Sequence, residues 1–450
     1  MIGHAQLLAT LRRAMKRAAG DAVSICAHAR SRRVFRFAHE AIHQDLVQDS
    51  LAITVKIIHG QSIGVASTDT LAPESLTRAL RAAAAIAAHS PKQALTPPLP
   101  RARRAPHRSD AVPATTRLTA AACVESIKRL FHLCRGAGAT LAGSFMTGED
   151  LLAVVNSVGL TCSTHSTVAG AKLVTMFGRL SGYASGVHRD IRRLNLDELL
   201  QRSLAQCLHR AEPATIPLGT YEVILEPEAV AELVGWLGSI AFGAKSVEER
   251  TSFFAGRIGE QVMDSKITIY DDARDRSMLQ MPFDFEGVPK QRVVLIDRGT
   301  VHSPVYDSTY GARFGTSSTG HAMPPDEIDG PLPLHLGMRP GTTDVPAMIR
   351  ACRRGLFIPR FHYVSGLLNP REALMTGLTR EGTFLIEHGR VSTPVSTLRF
   401  TDSLLRSFRR VLGVSKTRRL VADPSQELGC AVMPSLHLAE LRFTGRSERE

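Results

Sequence analysis

The chain has 450 residues, of which 44% are hydrophobic, and it carries a formal charge of +13 because 55 lysines and arginines outnumber 42 acidic residues. This length exceeds what one ordinary core accommodates, so two or three packed units are expected. The charge would attract anions, but the arginines fall in scattered pairs, and no basic helix alternates with aromatic residues. We therefore expect a dispersed, solvated basic surface and keep a nucleic-acid-associated factor as an alternative.

Cysteine usage and the N-terminal segment both predict a soluble, cytoplasmic protein. The seven cysteines are odd in number and contain no CxxC pair, which argues against a zinc ribbon or a disulfide framework. The first twenty residues scatter their charges among apolar residues, as an amphipathic helix does and a signal peptide does not. The longest apolar run, residues 229–244, is interrupted by Glu232 and is shorter than the ~20 residues that cross a membrane.

The N-terminal segment predicts a first α/β unit at residues 1–92. In chain order, its patterns predict a helix over 5–19, strands over 34–47 and 50–58, another strand after a turn at Gly60, and an alanine-rich helix over 72–88. Six prolines fall within residues 91–114, together with several arginines. We therefore predict a Pro/Arg-rich linker at residues 93–114.

Two further units are predicted after the linker, at residues 115–213 and 214–450. The central unit has helical patterns over 119–136 and 194–208, with strand patterns over 140–145, 151–156 and 171–177. The C-terminal unit opens with a strand over 221–225 and an apolar helix over 228–242, and strand patterns follow over 267–270, 292–297, 300–306, 382–387 and 389–394. Residues 314–346 are rich in Gly, Pro and Ser and predict a long ordered loop. The expected fold class is α+β, with N-terminal α/β units followed by a strand-rich C-terminal domain.

One motif offers zinc chemistry, since His39, Glu40 and His43 match the pattern HExxH. On a helix, the two histidines would share a face and bind zinc, and the glutamate would activate a bound water. The flanking residues 34–38 and 44–47 instead alternate with period two. On a strand, positions 39 and 43 would lie ~13 Å apart, too far to bind one ion. We therefore expect a chance match, and we keep a self-sufficient metallohydrolase using these three residues as an alternative.

Other candidate groups give weaker signals. His321, His335 and His362 are isolated in the sequence, and a site that pairs them with Cys430 has no support from their spacing. The adjacent acids Asp271 and Asp272 end a predicted strand, where turn formation is the commoner role. The chain has no GxSxG sequence, no P-loop and no dinucleotide-binding fingerprint.

Several longer stretches resemble the TldD/PmbA (TldD/TldE) metallopeptidase family. In the C-terminal half these are TYEVILEPEAVAELVGWL, SFFAGRIGEQVMDSKITIYDD, FDFEGVPKQRVVLIDRGTV, YDSTYGARFGTSSTGHA and GLTREGTFLIEHGRVSTPVSTLRFTDSLL. The segments FRFAHEAIHQ, VKIIHGQSIGVASTDTLAPESLTRA and NSVGL are similar to earlier parts of that family. The resemblance implies a TldD/PmbA-type fold in all three units, and it implies a strand for the segment around His39.

The resemblance also implies a role without a metal on this chain. TldD-type subunits carry an HExxxH helix and a distant cysteine that hold zinc. The equivalent helix here, residues 228–242, contains no histidine, and the spacing of Cys430 to Pro434 does not match the ligand cysteine. The resemblance thus implies a TldE/PmbA-type, non-catalytic subunit that forms a heterodimer with a zinc-bearing TldD-type partner. The pair would enclose a cleft for unfolded or small peptides, and we expect its wall on this chain to include Glu228, Glu232, Trp236 and Arg257.

Overall fold

Two β-sheets, one of seven strands and one of thirteen, form the framework of the molecule. The structure is a computed structural model that describes residues 3–101, 108–208, 212–423 and 429–446. Its mixture of helices and sheets confirms the predicted α+β class. Within the described ranges, no helix combines the length and the apolar character needed to span a bilayer.

Ten α-helices occur in the described residues. In chain order they are α1 (His4–Met15), α2 (Pro73–His89), α3 (Pro113–Thr116), α4 (Ala120–Gly136), α5 (Leu196–Cys207), α6 (Pro227–Ala241), α7 (Ala244–Glu248), α8 (Ser308–Arg313), α9 (Val345–Ala351) and α10 (Leu404–Ser407). Single 3₁₀ turns lie at Ile191–Arg193 and Pro370–Glu372. The helices predicted over 5–19 and 228–242 are confirmed as α1 and α6, to within a few residues at their ends.

The seven-stranded sheet consists of long hairpins placed side by side. Its strands are β1 (Ala22–Ala38), β2 (Ala41–His59), β3 (Ser62–Thr68), β4 (Arg108–Asp110), β5 (Thr140–Asn156), β6 (Thr161–Phe177) and β7 (Leu180–His188). They run in the order β3-β2-β1-β5-β6-β4, and β7 also pairs with β6. Segments from both sides of the predicted linker therefore share one sheet. The division into separate units at 1–92 and 115–213 stays a prediction.

Part of the predicted linker has regular structure. Strand β4 pairs in parallel with β6, and α3 follows it. The linker thus contains a short strand at residues 108–110 and the start of a helical turn at residues 113–114, and its role as a linker stays a prediction. Residues 102–107 lie outside the described ranges.

One face of the seven-stranded sheet is covered by helices α1, α2, α4 and α5. Ile25 of β1 packs with α1 and α2, whereas Phe35 packs with α4 and α5. Because successive side chains on a strand point to opposite faces, the even-numbered residues of β1 face away from these helices. On that second face Cys26 packs with Phe283 and Phe285 of the C-terminal half. The helix-free face of the sheet is thus directed at the C-terminal part of the chain.

The thirteen-stranded sheet is built from residues 219–446. Its strands are β8 (Gly219–Leu225), β9 (Ile269–Asp271), β10 (Val293–Asp297), β11 (Thr300–Val301), β12 (His335–Met338), β13 (Arg354–Ile358), β14 (Arg360–Asn369), β15 (Leu374–Arg380), β16 (Phe384–Glu387), β17 (Arg390–Pro394), β18 (Leu398–Ser403), β19 (Val411–Val421) and β20 (Cys430–Arg446). The long strand β20 is central, because it pairs with β8, β12, β18 and β19.

The two faces of strand β8 meet different helices. Val223 and Leu225 belong to the large core that includes α6, whereas Ile224 packs with Met348 and Ile349 of α9. Helix α6 is apolar on most of its surface because it is enclosed between this sheet and the rest of the molecule. Proline at its first position fixes a backbone angle suited to a helix start.

Two sequence predictions for local structure are wrong. The loop predicted over 314–346 contains β12, a strand in the middle of the large sheet. The strand predicted over 34–47 is interrupted by a hairpin turn at His39 and Glu40, where β1 ends and β2 begins. Neither residue is a glycine or asparagine, which are the usual markers of such a turn.

Candidate functional site

A cavity of about 560 Å³ lies between the helix-free face of the seven-stranded sheet and Arg360 of β14. This size falls in the range of small-ligand pockets. We call it the basic cleft, and its lining is Arg30, Arg32, Val34, Arg36, Gln44, Leu46, Gln48, Ser50, Gly143, Ser144, Met146, Lys172, Val174, Tyr183 and Arg360. Five of these side chains are cationic and none is a carboxylate.

The basic cleft follows directly from strand alternation. Arg30, Arg32 and Arg36 occupy even positions of β1, and residues on the same face of the neighbouring strands complete the floor. The odd position between them, Phe35, is buried on the opposite face with Phe37. A period-two series of arginines on one face and aromatics on the other therefore encodes the cleft, and sequence reasoning missed it by treating the arginines as scattered.

Two cations of the cleft, Arg32 and Lys172, are paired with carboxylates. Arg32 donates two hydrogen bonds to the Asp150 carboxylate, at 2.8 and 2.7 Å. Lys172 Nζ lies 2.5 Å from Asp423 Oδ1. These carboxylates hold the cations in place from outside the lining, so the lining itself stays basic.

Arg360 connects the two sheets at the cleft. Its guanidinium lies 4.0 Å from the centroid of the Tyr183 ring on β7, and its Nε donates to Glu381 Oε2 at 2.6 Å. A cation over an aromatic face is attracted by the ring quadrupole. Arg360 is therefore held both by its own sheet and by the neighbouring one.

Helix α6 contributes Glu232 and Trp236 close to this point. Trp236 packs against Gly366 of β14, where an added Cβ would come within 2.9 Å of the indole. Burial by surrounding protein raises the pKa of Glu232, although the Trp236 indole N–H and the charge of Arg360 act in the opposite direction. Part of the Glu232 side chain remains exposed. Glu232 and Trp236 are thus neighbours within the electrostatic influence of Arg360, but neither of them lines the basic cleft.

The beginning of α6 carries a four-charge cluster. Glu228 Oε1 accepts from Arg202 of α5 at 2.7 Å and from Arg419 of β19 at 3.0 Å. Arg419 also contacts Glu226 at 3.3 Å. Burial raises the pKa of Glu228 against the opposing charge of Arg202, and burial together with the charge of Glu228 raises the pKa of Glu226. The cluster joins α5, α6 and β19.

Arg257, the fourth residue predicted for the cleft wall, does not join the other three in the contacts of the described residues. It lies in the segment after α7, and its ion pair is with Glu260 at 3.0 Å. Glu228, Glu232 and Trp236 all lie on α6, but Arg257 has no described contact with them.

The HExxH residues lie at a hairpin tip and not on a helix. His39 and Glu40 have positive φ angles of 46° and 61°, as both central residues of a type I′ turn do. Glu40 pairs with Arg135 at 2.5 Å, and His43 Nε2 lies 2.9 Å from the Ala38 carbonyl oxygen. The side chains of this motif are thus tied to hairpin and helix neighbours.

Two of the isolated histidines belong to a buried network around Asp271. Its carboxylate lies 2.9 Å from His321 Nε2 and accepts the His335 backbone N–H at 2.6 Å. Burial alone would raise the pKa of Asp271, but His321 and Lys290 hold it well below its usual range. The His321 and Asp271 side chains are 0% exposed, so no substrate can reach them. This network fixes the loops around β9 and β12.

One group in the described residues has the composition of a metal site, and it lies away from the basic cleft. Glu222, Cys352 and His437 bring their ligand atoms within 4.8 Å of one another. No sequence pattern pointed to it, because its members are far apart in the chain.

Residues 218–445 match the model of the PmbA/TldA metallopeptidase C-terminal domain. The metalloprotease PmbA of Escherichia coli O157:H7 is 24% identical over 410 residues, which cover 86% of this chain and 85% of that protein. An uncharacterised protein of Methanocaldococcus jannaschii is 28% identical over 185 residues, so the chain spans only 43% of that relative's length.

A solved structure shares the whole fold. The crystal structure of TldE from Thermococcus kodakarensis superimposes with a TM-score of 0.84, covers 98% of this chain and 99% of its own, and is 19% identical in sequence. At this identity the likeness concerns the fold.

Proposed function

This chain belongs to the PmbA/TldD metallopeptidase family, and from that premise we propose that it is a non-catalytic, TldE/PmbA-like subunit of a TldD/TldE-type peptidase. In this proposal it forms a heterodimer with a TldD-type subunit that carries the zinc. The pair acts on unfolded or small peptides. The chain itself contributes part of the substrate cleft.

The composition of α6 carries this proposal. The helix contains no histidine, and its two carboxylates are Glu228 and Glu232. Zinc in proteins is held by several histidine, cysteine or carboxylate ligands at about 2.0–2.3 Å. Glu228 is already paired with Arg202 and Arg419, and Glu232 lies beside the Trp236 indole near the cation Arg360, so the helix offers too few free ligands and an unfavourable charge. The residues present on α6 do not fit a zinc ion, and no catalytic step is assigned to it.

The basic cleft supports a role in holding peptide. Its cations suit the carboxylates of a peptide, either at a C-terminus or on acidic side chains. Glutamine and serine side chains and the apolar Val34, Leu46 and Met146 provide hydrogen bonds and contact area. A cavity of about 560 Å³ accommodates a small ligand or a short peptide segment rather than a nucleic-acid duplex. The size of the cleft, and not its charge, therefore favours the peptide alternative.

The edge of the seven-stranded sheet offers a surface for the partner. Strand β3 pairs with residues 53–59 of β2 only, so residues 41–52 have a neighbour on one side alone in the described pairing. Leu46 and Val47 there are 43% and 54% exposed. An unpaired edge with exposed apolar side chains is a favourable site for association. We assign this edge to the contact with the TldD-type subunit.

A self-sufficient hydrolase built on His39, Glu40 and His43 has little geometric support. Two residues from a turn and one from the following strand do not share a helix face, as the HExxH mechanism requires.

A cytoplasmic location accords with the seven cysteines, which are all buried as free thiols.

Co-purification with an HExxxH-bearing relative from the same organism tests the proposal. We expect a stable one-to-one complex that cleaves denatured peptides. Replacing the motif glutamate of the partner by glutamine should abolish cleavage, whereas Glu40→Gln in this chain should leave it unchanged. Failure to form the complex, or loss of cleavage in the Glu40→Gln complex, would contradict the proposal.

A further inference from the structure

Glu222, Cys352 and His437 meet on the face of the thirteen-stranded sheet that is turned away from α6. Glu222 lies two residues before Ile224 on β8, and Ile224 packs with α9. His437 is opposite Ile224 in the pairing of β20 with β8, and its neighbours Leu436 and Leu438 are in the core on the α6 side. Strand alternation therefore places the Glu222 and His437 side chains on the α9 face.

Cys352 completes the group from the end of α9. The segment between α9 and β13 brings its thiol beside Gly355, where an added Cβ would come within 2.6 Å of the sulfur and 2.5 Å of the Glu222 carbonyl oxygen. Glycine at this position thus allows the thiol to approach the strand closely. Helix α9 ends at this point because Cys352 has an extended backbone.

The Glu222 carboxylate contacts His437, whose Nε2 lies 2.6 Å from Glu222 Oε1. The Cys352 sulfur is close to both, since the three potential ligand atoms lie within 4.8 Å of one another. A divalent cation could take the place of the proton in the His437–Glu222 contact and bind the same three groups.

The ligand set and its surroundings suit a transition metal. A thiolate, an imidazole and a carboxylate together are typical ligands of zinc, whereas calcium and magnesium prefer oxygen alone. His437 and Cys352 are buried at 4% and 0% exposure, and the Glu222 side chain is 26% exposed. The exposed side gives the ion a route of entry and leaves room for a water as the fourth ligand.

We propose that Glu222, Cys352 and His437 form a binding site for a divalent transition-metal ion, with zinc as the best match. Binding releases the thiol proton to solvent, while the neutral His437 imidazole keeps one proton on Nδ1 and offers Nε2 to the ion. The imidazole and the carboxylate then separate from their hydrogen-bonding distance to ~3.3 Å, the spacing of two ligands in a tetrahedron with bonds of ~2.0 Å. Because the site lies across the sheet from the basic cleft, it is separate from the proposed peptide-binding surface.

Cobalt titration of the full-length, chelator-treated chain tests the site. Cobalt takes the place of zinc and reports a bound thiolate through a charge-transfer absorption in the near ultraviolet. We expect one cobalt ion per chain with this band, and Cys352→Ser should remove the band. Glu222→Gln, at the partly exposed ligand, should weaken binding by at least ~10-fold.

The matched control is Cys123→Ser, which alters another buried thiol, on α4. It should keep both the band and the affinity. A folded wild-type chain without the band, or a Cys352→Ser chain that keeps it, would overturn the site. If Cys352→Ser does not fold, unchanged cobalt affinity in the folded Glu222→Gln chain is the overturning result. No peptide or partner enters this measurement, so its failure is separate from failure of the proposed subunit role.

Discussion

The Arg360 guanidinium lies 4.0 Å from the centre of the Tyr183 ring, and this contact spans the two β-sheets at the basic cleft. Arg360 begins β14 in the large sheet, whereas Tyr183 belongs to β7 in the smaller one. The same guanidinium pairs with Glu381, whose side chain is 7% exposed. One side chain thus lines the cleft and links the two sheets.

Arg360→Ala should lower the free energy of unfolding by about 2 kcal/mol, because it removes a charge-assisted hydrogen bond and a cation–π contact. The loss is limited because Arg380 also pairs with Glu381, at 3.1 Å. Arg380 is 47% exposed and has no described ring contact. Arg380→Ala is therefore the matched control and should cost less than about 1 kcal/mol. Urea unfolding measures both variants, and equal losses would show that the Tyr183 contact contributes nothing.

The Glu226 and Glu228 pair predicts a pH dependence of stability. Burial and the charge of Glu228 raise the pKa of Glu226 above its unfolded value, so the folded state keeps a proton that the unfolded state has lost. This group's contribution to stability is therefore fully present below pH ~4.5 and is lost as the pH rises through the folded pKa.

Glu226→Gln should remove this loss of folding stability at higher pH, because the amide is neutral at every pH. Arg419 remains paired with Glu228 in the variant. Relative to the parent chain, the variant should gain stability between pH 5 and pH 8. Glu125→Gln, at a 72% exposed side chain on α4, is the control and should show no such trend. A pH profile of Glu226→Gln that runs parallel to that of the parent would contradict the raised pKa.

Substitution of the buried Asp271, which lies outside the lining of the cleft, should lower the stability of the fold strongly. Asp271→Asn removes a buried negative charge that His321 contacts and that lies near Lys290, so we expect a loss of about 3 kcal/mol. The adjacent Asp272→Asn is the control, because Asp272 serves a local turn by accepting the Arg274 N–H, and it should cost about 1 kcal/mol or less. Urea unfolding at pH 7 distinguishes them, and similar values would remove the case for the buried network.

A charged substitution in the exposed edge of β2 should weaken binding of the proposed partner. Val47→Glu places a charge among the exposed residues of this edge and should weaken the complex with the TldD-type partner by at least ~10-fold, since buried unpaired charges are costly at interfaces. Ile86→Glu on the outer side of α2, where the side chain is 45% exposed, is the matched control. Equal affinities of the two variants, measured by titration calorimetry, would place the interface elsewhere.

The sequence pattern was sufficient to predict the helices whose apolar residues lie within one continuous segment. Helix α6 was predicted because its apolar run is long, and α1 because its charged residues are scattered among apolar ones as in an amphipathic helix. Strand β12 was missed because it has four residues and is stabilised by pairing with β9 and β20, which are distant in the chain. The hairpin turn at His39 was missed because its residues have low turn propensity.

The candidate site was less predictable than the fold, because it depends on contacts between segments that are distant in the chain. The sequence already contains the alternating arginines Arg30, Arg32 and Arg36, but the face on which they lie could be assigned only when the odd positions were seen to pack under α4. The group of Glu222, Cys352 and His437 depends on the pairing of β8 with β20 and on the end of α9. Contacts between distant segments leave no local pattern to detect.

The most direct test of the central claim is the rate at which the purified chain alone hydrolyses a fluorescent denatured peptide in the presence of added zinc. The absence of histidine on α6 predicts a rate equal to that of buffer, and a rise above it only when the HExxxH-bearing partner is added. Hydrolysis by the chain alone that a chelator abolishes and zinc restores would contradict the non-catalytic role.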